Sequence, residues 1–124
     1  MEPTISNFVM HLSWSKNGID NWEPVTYLEK EASQAKIWLS PDTDDILLAY
    51  EASPGMQGNH IVVKQYPDLG ALKRREASET LHMERTLGEI NEGTPSFELV
   101  RFTGSISTSN ITLRFHYYDN NRVD

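Results

Sequence analysis

Apolar and polar residues alternate along much of the chain with a period of two, which is the pattern of β-strands that bury one face. The first such run extends from Asn7 to Ser15, where Phe, Met, Leu and Trp alternate with Val, His and Ser. Similar runs predict further strands over residues 23–28, 35–40, 46–50, 59–66, 95–102 and 110–118. Residues 46–50, Ile-Leu-Leu-Ala-Tyr, are continuously apolar, which indicates a strand buried on both faces. The pattern therefore predicts an all-β protein.

Turn-forming residues separate these runs. The pair Asn-Gly at 17–18 is a strong turn signal because both residues tolerate a positive φ. Residues 41–45, Pro-Asp-Thr-Asp-Asp, have the same character because Pro fixes φ and Asp bonds to the nearby backbone. The stretch 68–87 is less regular. The sequence leaves open whether a helix or helical turn forms near 70–75, and it predicts a short strand near 80–84.

Hairpins and strand-ending turns recur along the chain at an interval of about 50 to 60 residues, and four strands per interval are typical of β-propeller blades. The repeat predicts one complete four-stranded blade over residues 35–85, flanked by a half blade over 7–28 and a half blade over 95–118. All three belong to a single domain, residues 1–124. Two blades are too few for a closed ring, which needs about four. We therefore expect a piece of a propeller or one subunit of an assembly, with a β-sandwich as the alternative fold.

Four short segments carry a resemblance to a known family. Residues 12–22 (Leu-Ser-Trp-Ser-Lys-Asn-Gly-Ile-Asp-Asn-Trp) resemble a turn of the five-bladed propeller glycoside hydrolases of the arabinanase and β-xylosidase type and their relatives acting on fructans and mannosides. Residues 59–63 (Asn-His-Ile-Val-Val) look like the third strand of such a blade, and 67–69 (Pro-Asp-Leu) like the turn after it. Residues 91–97 (Asn-Glu-Gly-Thr-Pro-Ser-Phe) resemble the segment that opens an inner strand.

This resemblance implies a carbohydrate-active protein that binds or hydrolyses a saccharide, with Glu92 as the catalytic general acid. Glycoside hydrolysis needs two carboxylates that flank the scissile bond. The strand on which the family carries the second carboxylate begins here at Ser33 with Ser-Gln-Ala-Lys, which contains no acid. Thr94 is an insertion relative to the family's spacing. The sequence therefore leaves catalysis and binding without catalysis both open.

Candidate ligand contacts are the polar and aromatic residues at strand ends, because small-molecule sites combine such side chains with a few hydrogen-bonding groups. His116, Tyr118 and Asp119 form one such group at the end of the last predicted strand. His60 begins a strand, and Trp38 lies within an inner one. The position of Trp38 in the middle of a strand favours a place in the core between blades over a stacking platform for a sugar.

Composition narrows the classes of partner. The 124 residues contain no cysteine, which excludes disulfides and a cysteine nucleophile. The formal net charge of −7 argues against nucleic acid and anionic membranes as partners. The sequence has no phosphate-binding loop and no histidine pair at metal-ligand spacing, so we expect neither a cofactor nor a metal. The acidic turn of Asp42, Asp44 and Asp45 is predicted to be a solvated turn, with Ca²⁺ binding as the alternative.

Two other functional classes remain open. The first is a lectin-like sugar-binding module that completes a propeller ring as a homo-oligomer. The second is a small acidic protein-binding β protein of the inhibitor or immunity type, whose negative charge would attract a basic partner. The first six residues have neither a basic nor an apolar segment typical of a secretory signal, and both a cytoplasmic protein and a mature secreted form fit the sequence.

Overall fold

The structure of the protein, a computed structural model, describes residues 9–30, 32–52, 60–83 and 91–118. Within these ranges, strands dominate and the single α-helix is short. The elements in chain order are β1 (Val9–Trp14), β2 (Glu23–Lys30), β3 (Ala32–Leu39), β4 (Ile46–Ala52), β5 (His60–Tyr66), α1 (Leu69–Arg74), β6 (Glu79–His82), β7 (Asn91–Arg101), a 3₁₀ turn (Ile106–Thr108) and β8 (Asn110–Tyr118). The prediction of an all-β protein is confirmed.

The strands of the described ranges form three antiparallel sheets. The central sheet has the order β3-β4-β5-β6, and the hairpins β1-β2 and β7-β8 form one two-stranded sheet each. Every pairing joins two strands that are consecutive in the sequence and antiparallel. The arrangement of these sheets as propeller blades remains a prediction.

Strand β4 forms the centre of the protein and is covered on both faces. Leu48 and Tyr50 point into one apolar cluster, whereas Leu47 and Ala49 point into another, and all four are fully buried. Successive side chains of a strand lie on opposite faces, so only a continuously apolar run fills both clusters. The prediction that this strand is buried on both faces is confirmed.

The two hairpins cover opposite faces of the central sheet. The first cluster is covered by the β1-β2 hairpin, through Leu12 and Val25, and by helix α1, through Ala71 and Leu72. The second cluster is covered by the β7-β8 hairpin, whose apolar contacts are Phe97, Val100, Ile111, Leu113 and Phe115. The fold is therefore a stack of three layers with the four-stranded sheet in the middle.

Helix α1 joins β5 to β6 and holds β2 against the first cluster. Its N-cap is Asp68, whose carboxylate accepts a hydrogen bond from the Ala71 amide at 2.7 Å. The helix ends at Arg75, which has a φ of +57°. The guanidinium of Arg75 lies 4.0 Å from the ring centroid of Tyr27 in β2, which is a cation–π contact between the helix and the hairpin. The short helix therefore helps to position the first hairpin.

The turn between β1 and β2 is closed by its own polar side chains. The Ser15 hydroxyl accepts a hydrogen bond from the Gly18 amide at 3.0 Å. The Asn17 side-chain oxygen accepts bonds from the amides of Ile19, at 2.8 Å, and Asp20, at 3.1 Å. Gly18 has a φ of +75°, a conformation that glycine adopts without strain. The segment that resembles a propeller turn is thus a compact turn held by serine and asparagine.

We expect Asn17→Ala to lower the free energy of unfolding by about 1 kcal/mol, because two backbone amides lose their acceptor. The loss is limited by solvent, which reaches this exposed turn and supplies replacement bonds. Urea titration monitored by tryptophan fluorescence measures it. Lys16→Ala is the matched control, with an expected change within about 0.5 kcal/mol. Equal effects of the two substitutions would contradict the role of Asn17.

Candidate functional site

The stack of sheets has two ends, and the direction of the strands distinguishes them. The ring centroid of Trp38, near the end of β3, lies 5.8 Å from that of Phe102, which follows β7. Gln65, near the end of β5, donates a hydrogen bond to the carbonyl oxygen of Gly104 at 3.0 Å. Strands β3, β5 and β7 therefore run in the same direction. We name the end where they begin the upper end, and the end where they finish the lower end.

Strand β1 runs in the same direction as β3. Its last residue, Trp14, lines a groove with Leu39 at the end of β3 and Ile46 at the start of β4, all at the lower end. The β1-β2 turn therefore also lies at the lower end. The upper end receives the first residues of β1, β3, β5 and β7 and the last residues of their antiparallel neighbours.

Four of the predicted site residues, Glu92, His116, Tyr118 and Asp119, lie in or after β7 and β8 in the sequence. Glu92 is the second residue of β7, and its backbone lies opposite that of Tyr117 in the strand register. Tyr118 is the last residue of β8 and lies opposite Asn91. Both positions are therefore at the upper end. Asp119 lies outside the described residues.

Two predicted histidines also lie at the upper end. His60 is the first residue of β5 and is half-buried. His116 is near the end of β8, opposite Gly93, and is exposed on the face of the hairpin turned away from the central sheet. This orientation follows from the packing of its neighbour Phe115 into the second cluster. The structure thus places elements carrying Glu92, His60, His116 and Tyr118 at one end.

His60 has an aromatic neighbour that sequence reasoning missed. The ring centroid of His82, the last residue of β6, lies 5.8 Å from that of His60, with 40° between the ring planes. The register places His82 opposite Val62, so the two histidines are diagonal neighbours on adjacent strands. Among the side chains that the structure describes, no group of three His, Cys, Asp or Glu residues is placed to hold a metal ion.

Trp38 lies at the other end of the stack. It packs against the second cluster, and its ring is in tilted contact with that of Phe102. This contact belongs to the core between β3 and β7. A saccharide at the upper end and a saccharide on Trp38 would therefore occupy two different sites.

A buried polar cluster ties the lower end together, and sequence reasoning did not identify it. Gln65 is 4% exposed, and its amide nitrogen donates to Asp45 at 3.2 Å and to the Gly104 carbonyl at 3.0 Å. Its side-chain oxygen accepts a bond from the Ile106 amide at 3.1 Å. Glu79 accepts a bond from the same amide at 2.7 Å. The only signal in the sequence is a Gln within the apolar strand β5.

Side chains of the acidic turn between β3 and β4 form hydrogen bonds within the turn itself. The Ser40 hydroxyl accepts bonds from the amides of Asp42 and Thr43. The Asp45 carboxylate accepts a bond from the Thr43 hydroxyl at 2.7 Å as well as the bond from Gln65. These contacts are those of a hydrogen-bonded turn.

The ion pairs among the described residues lie on the surface. Arg74 bonds to Glu76 at 2.7 Å, and this bond raises the pKa of the Arg74 guanidinium. Arg114 bonds to Glu98 at 2.9 Å on the outer face of the β7-β8 hairpin. Exposed pairs of this kind contribute little to stability because water and salt screen them.

The fold and these contacts define an all-β protein of stacked antiparallel sheets, with the rings of His60 and His82 in contact at its upper end. Comparisons with protein-family models, with curated proteins and with solved structures find no match for this chain. Within the described ranges, no helix has the length and apolar character needed to cross a membrane.

Proposed function

We propose that the protein is a saccharide-binding module of the glycoside hydrolase-like propeller type, with its ligand at the upper end. The proposal rests on one observation about strand ends. Those that contain Glu92, His60, His116 and Tyr118 all lie at the upper end of the stack. These positions are spread over 59 residues of sequence, and the shared strand direction of β5 and β7 brings them to a common side.

The stacking of the sheets supports the propeller part of the proposal. A propeller repeats four-stranded antiparallel sheets around an axis, each packed face to face against its neighbours. The central sheet has four strands in sequence order and packs against another sheet on both faces. In such an arrangement β3 and β7 would be the inner strands, and Glu92 would lie at the mouth of the axial cavity.

The chemistry of the upper end suits a sugar. A carboxylic acid at Glu92 would donate its proton to a glycosidic oxygen, or as a carboxylate would accept bonds from sugar hydroxyls. Imidazole rings donate and accept further bonds to hydroxyls. Because β3 itself, Ala32–Leu39, contains no acid, we assign one carboxylate, that of Glu92, of the pair that hydrolysis needs. Binding is therefore the function that we assign to the isolated chain.

Titration calorimetry with arabino-, xylo-, fructo- and manno-oligosaccharides tests this proposal. We expect binding to at least one series, and we expect Glu92→Gln to weaken it about tenfold or more, because a charge-assisted hydrogen bond is lost. Glu23→Gln is the control, because Glu23 begins β2 at the lower end. Absence of binding to every series, or equal binding by the wild type and Glu92→Gln, would reject the proposal.

Aryl glycosides address catalysis separately. If the chain releases the aryl group, Glu92→Gln should lower kcat by about a hundredfold or more, since general acid catalysis contributes that much. An unchanged kcat would exclude Glu92 as the acid.

A further inference from the structure

Described residues line two apolar grooves on the central sheet, one on each face. The first, which we name the β3 groove, lies between β1 and β3 and has a volume of about 120 Å³. Its walls include Trp14, Ile37 and Leu39, which are 43%, 47% and 61% exposed. Apolar side chains of this size are not expected to line an open groove together unless something covers them.

The second, which we name the β6 groove, lies between β6 and β8 and has a volume of about 210 Å³. Its walls include Leu81, Met83 and Ile111, and Leu81 is 45% exposed. Leu81 pairs with Val63 of the second cluster, whereas Leu39 pairs with Ile46 of the first. The two grooves therefore lie on opposite faces and at opposite edge strands of the central sheet.

Each groove lies beside a two-stranded sheet. Strand β1 borders the β3 groove, while its partner β2 contacts helix α1. Strand β8 borders the β6 groove, while its partner β7 contacts β3, β4 and β5. In the part of the chain that the structure describes, each outer layer has two strands where the central layer has four. Each groove thus lies where a further pair of strands would fit.

We propose that a second copy of this chain covers these grooves, with β8 of one copy pairing with β1 of the next. The two strands run in opposite directions between the ends of the stack, so they would pair antiparallel with both upper ends on the same side. Neither β1 nor β8 contains proline, so each can donate backbone hydrogen bonds along its edge. The junction creates a four-stranded sheet in the order β7-β8-β1-β2.

One junction of this kind covers both types of groove. The β1-β2 hairpin of the second copy extends the layer beside β8 and covers the β6 groove of the first copy. The β7-β8 hairpin of the first copy extends the layer beside β1 and covers the β3 groove of the second. Within one copy, the β1-β2 hairpin already packs on one face of the central sheet and the β7-β8 hairpin on the other. The proposed contacts between copies extend these two interfaces. A second copy supplies both hairpins, which is why we choose it as the occupant.

The contact is head-to-tail, so it closes into a ring when the rotation between copies fits. Each copy contributes its central four-stranded sheet and one half of each of two shared sheets, which makes two four-stranded sheets per copy. Three copies therefore give six sheets, which is within the range of about four to eight blades in known propellers. Closure also removes the free strand edges, which otherwise promote aggregation. This inference rests on the grooves and the strand edges and is independent of saccharide binding.

Light scattering after size exclusion and native mass spectrometry test the assembly. We expect a wild-type particle of three 14.2 kDa chains. Leu39→Glu and Leu81→Glu should each give monomers, because each places a charge in one groove. Both leucines are exposed in the single chain, so circular dichroism should stay unchanged. Ile19→Glu, in the exposed β1-β2 turn, is the matched control and should remain assembled.

Mixing the two variants tests whether each junction joins the β6 groove of one copy to the β3 groove of the next. A Leu39→Glu chain keeps an intact β6 groove, and a Leu81→Glu chain keeps an intact β3 groove, so together they form one good junction. The expected product is a heterodimer from two monomeric variants. Wild-type monomers, or variants that assemble like the wild type, would overturn the proposed junction, and open polymers of undefined length would overturn its closure into a ring. A wild-type monomer would instead indicate a different polypeptide segment as the occupant of the grooves.

Discussion

Leu47→Ala and Leu48→Ala are each expected to lower the free energy of unfolding by about 3 to 5 kcal/mol. Both side chains are fully buried, and they point to opposite faces of β4. Truncation of a buried leucine removes its transfer free energy and leaves a cavity, which together cost about 2 to 5 kcal/mol. Because domains of this size are stable by about 5 to 15 kcal/mol, either change would bring the chain close to unfolding.

Urea or thermal unfolding of the two variants measures these losses. Leu99→Ala is the control, because Leu99 is 50% exposed, and its expected loss is below about 1 kcal/mol. The comparison between the two core variants is informative in itself. A large loss at one position and a small loss at the other would mean that only one face of the central sheet is covered, which would contradict the three-layer stack.

The positions of the strands could be predicted from the sequence because they depend on local features. The turn of Asn17 and Gly18, the continuously apolar β4 and the alternation in β8 each identify an element without knowledge of its neighbours. The sequence leaves a helix near 70–75 open, and the structure has helix α1 there, with Asp68 as its N-cap.

The start of β7 could not be predicted in the same way. The sequence indicated a strand from Pro95, whereas β7 begins at Asn91. Residues 91–94, Asn-Glu-Gly-Thr, show no alternation of apolar and polar residues and contain a glycine, which weakens a strand prediction. Their extended structure comes from pairing with the end of β8, which is a tertiary effect.

In the candidate site, too, the features that depend on local sequence could be predicted and those that depend on tertiary packing could not. That Glu92 and His60 share an end follows from counting strands, because alternate strands of antiparallel hairpins begin on the same side. The contact between His60 and His82 depends on the register of β5 and β6, which the sequence does not specify. The bond between Gln65 and Ile106 joins residues 41 positions apart and depends on how two layers pack.

Gln65→Ala is expected to lower the free energy of unfolding by about 2 to 3 kcal/mol. The side chain is buried at the lower end, where it donates to Asp45 and Gly104 and accepts from the Ile106 amide. Its removal deletes three hydrogen bonds, which contribute about 0.5 to 1.5 kcal/mol each, and two of them are donated to the Asp45 carboxylate and the Gly104 carbonyl. The Ile106 amide keeps its bond to Glu79, which limits the loss.

Chemical unfolding together with hydrogen exchange of the Ile106 amide tests this role. Exchange of that amide should accelerate in Gln65→Ala, and more so in a double variant that also carries Glu79→Ala, because the amide then loses both acceptors. Since the two acceptors share one donor, their effects on stability should not add. Thr80→Ala, at an exposed position of β6, is the control with an expected change within about 0.5 kcal/mol. If Gln65→Ala changes stability no more than Thr80→Ala does, the buried cluster does not hold the β7-β8 hairpin on the central sheet.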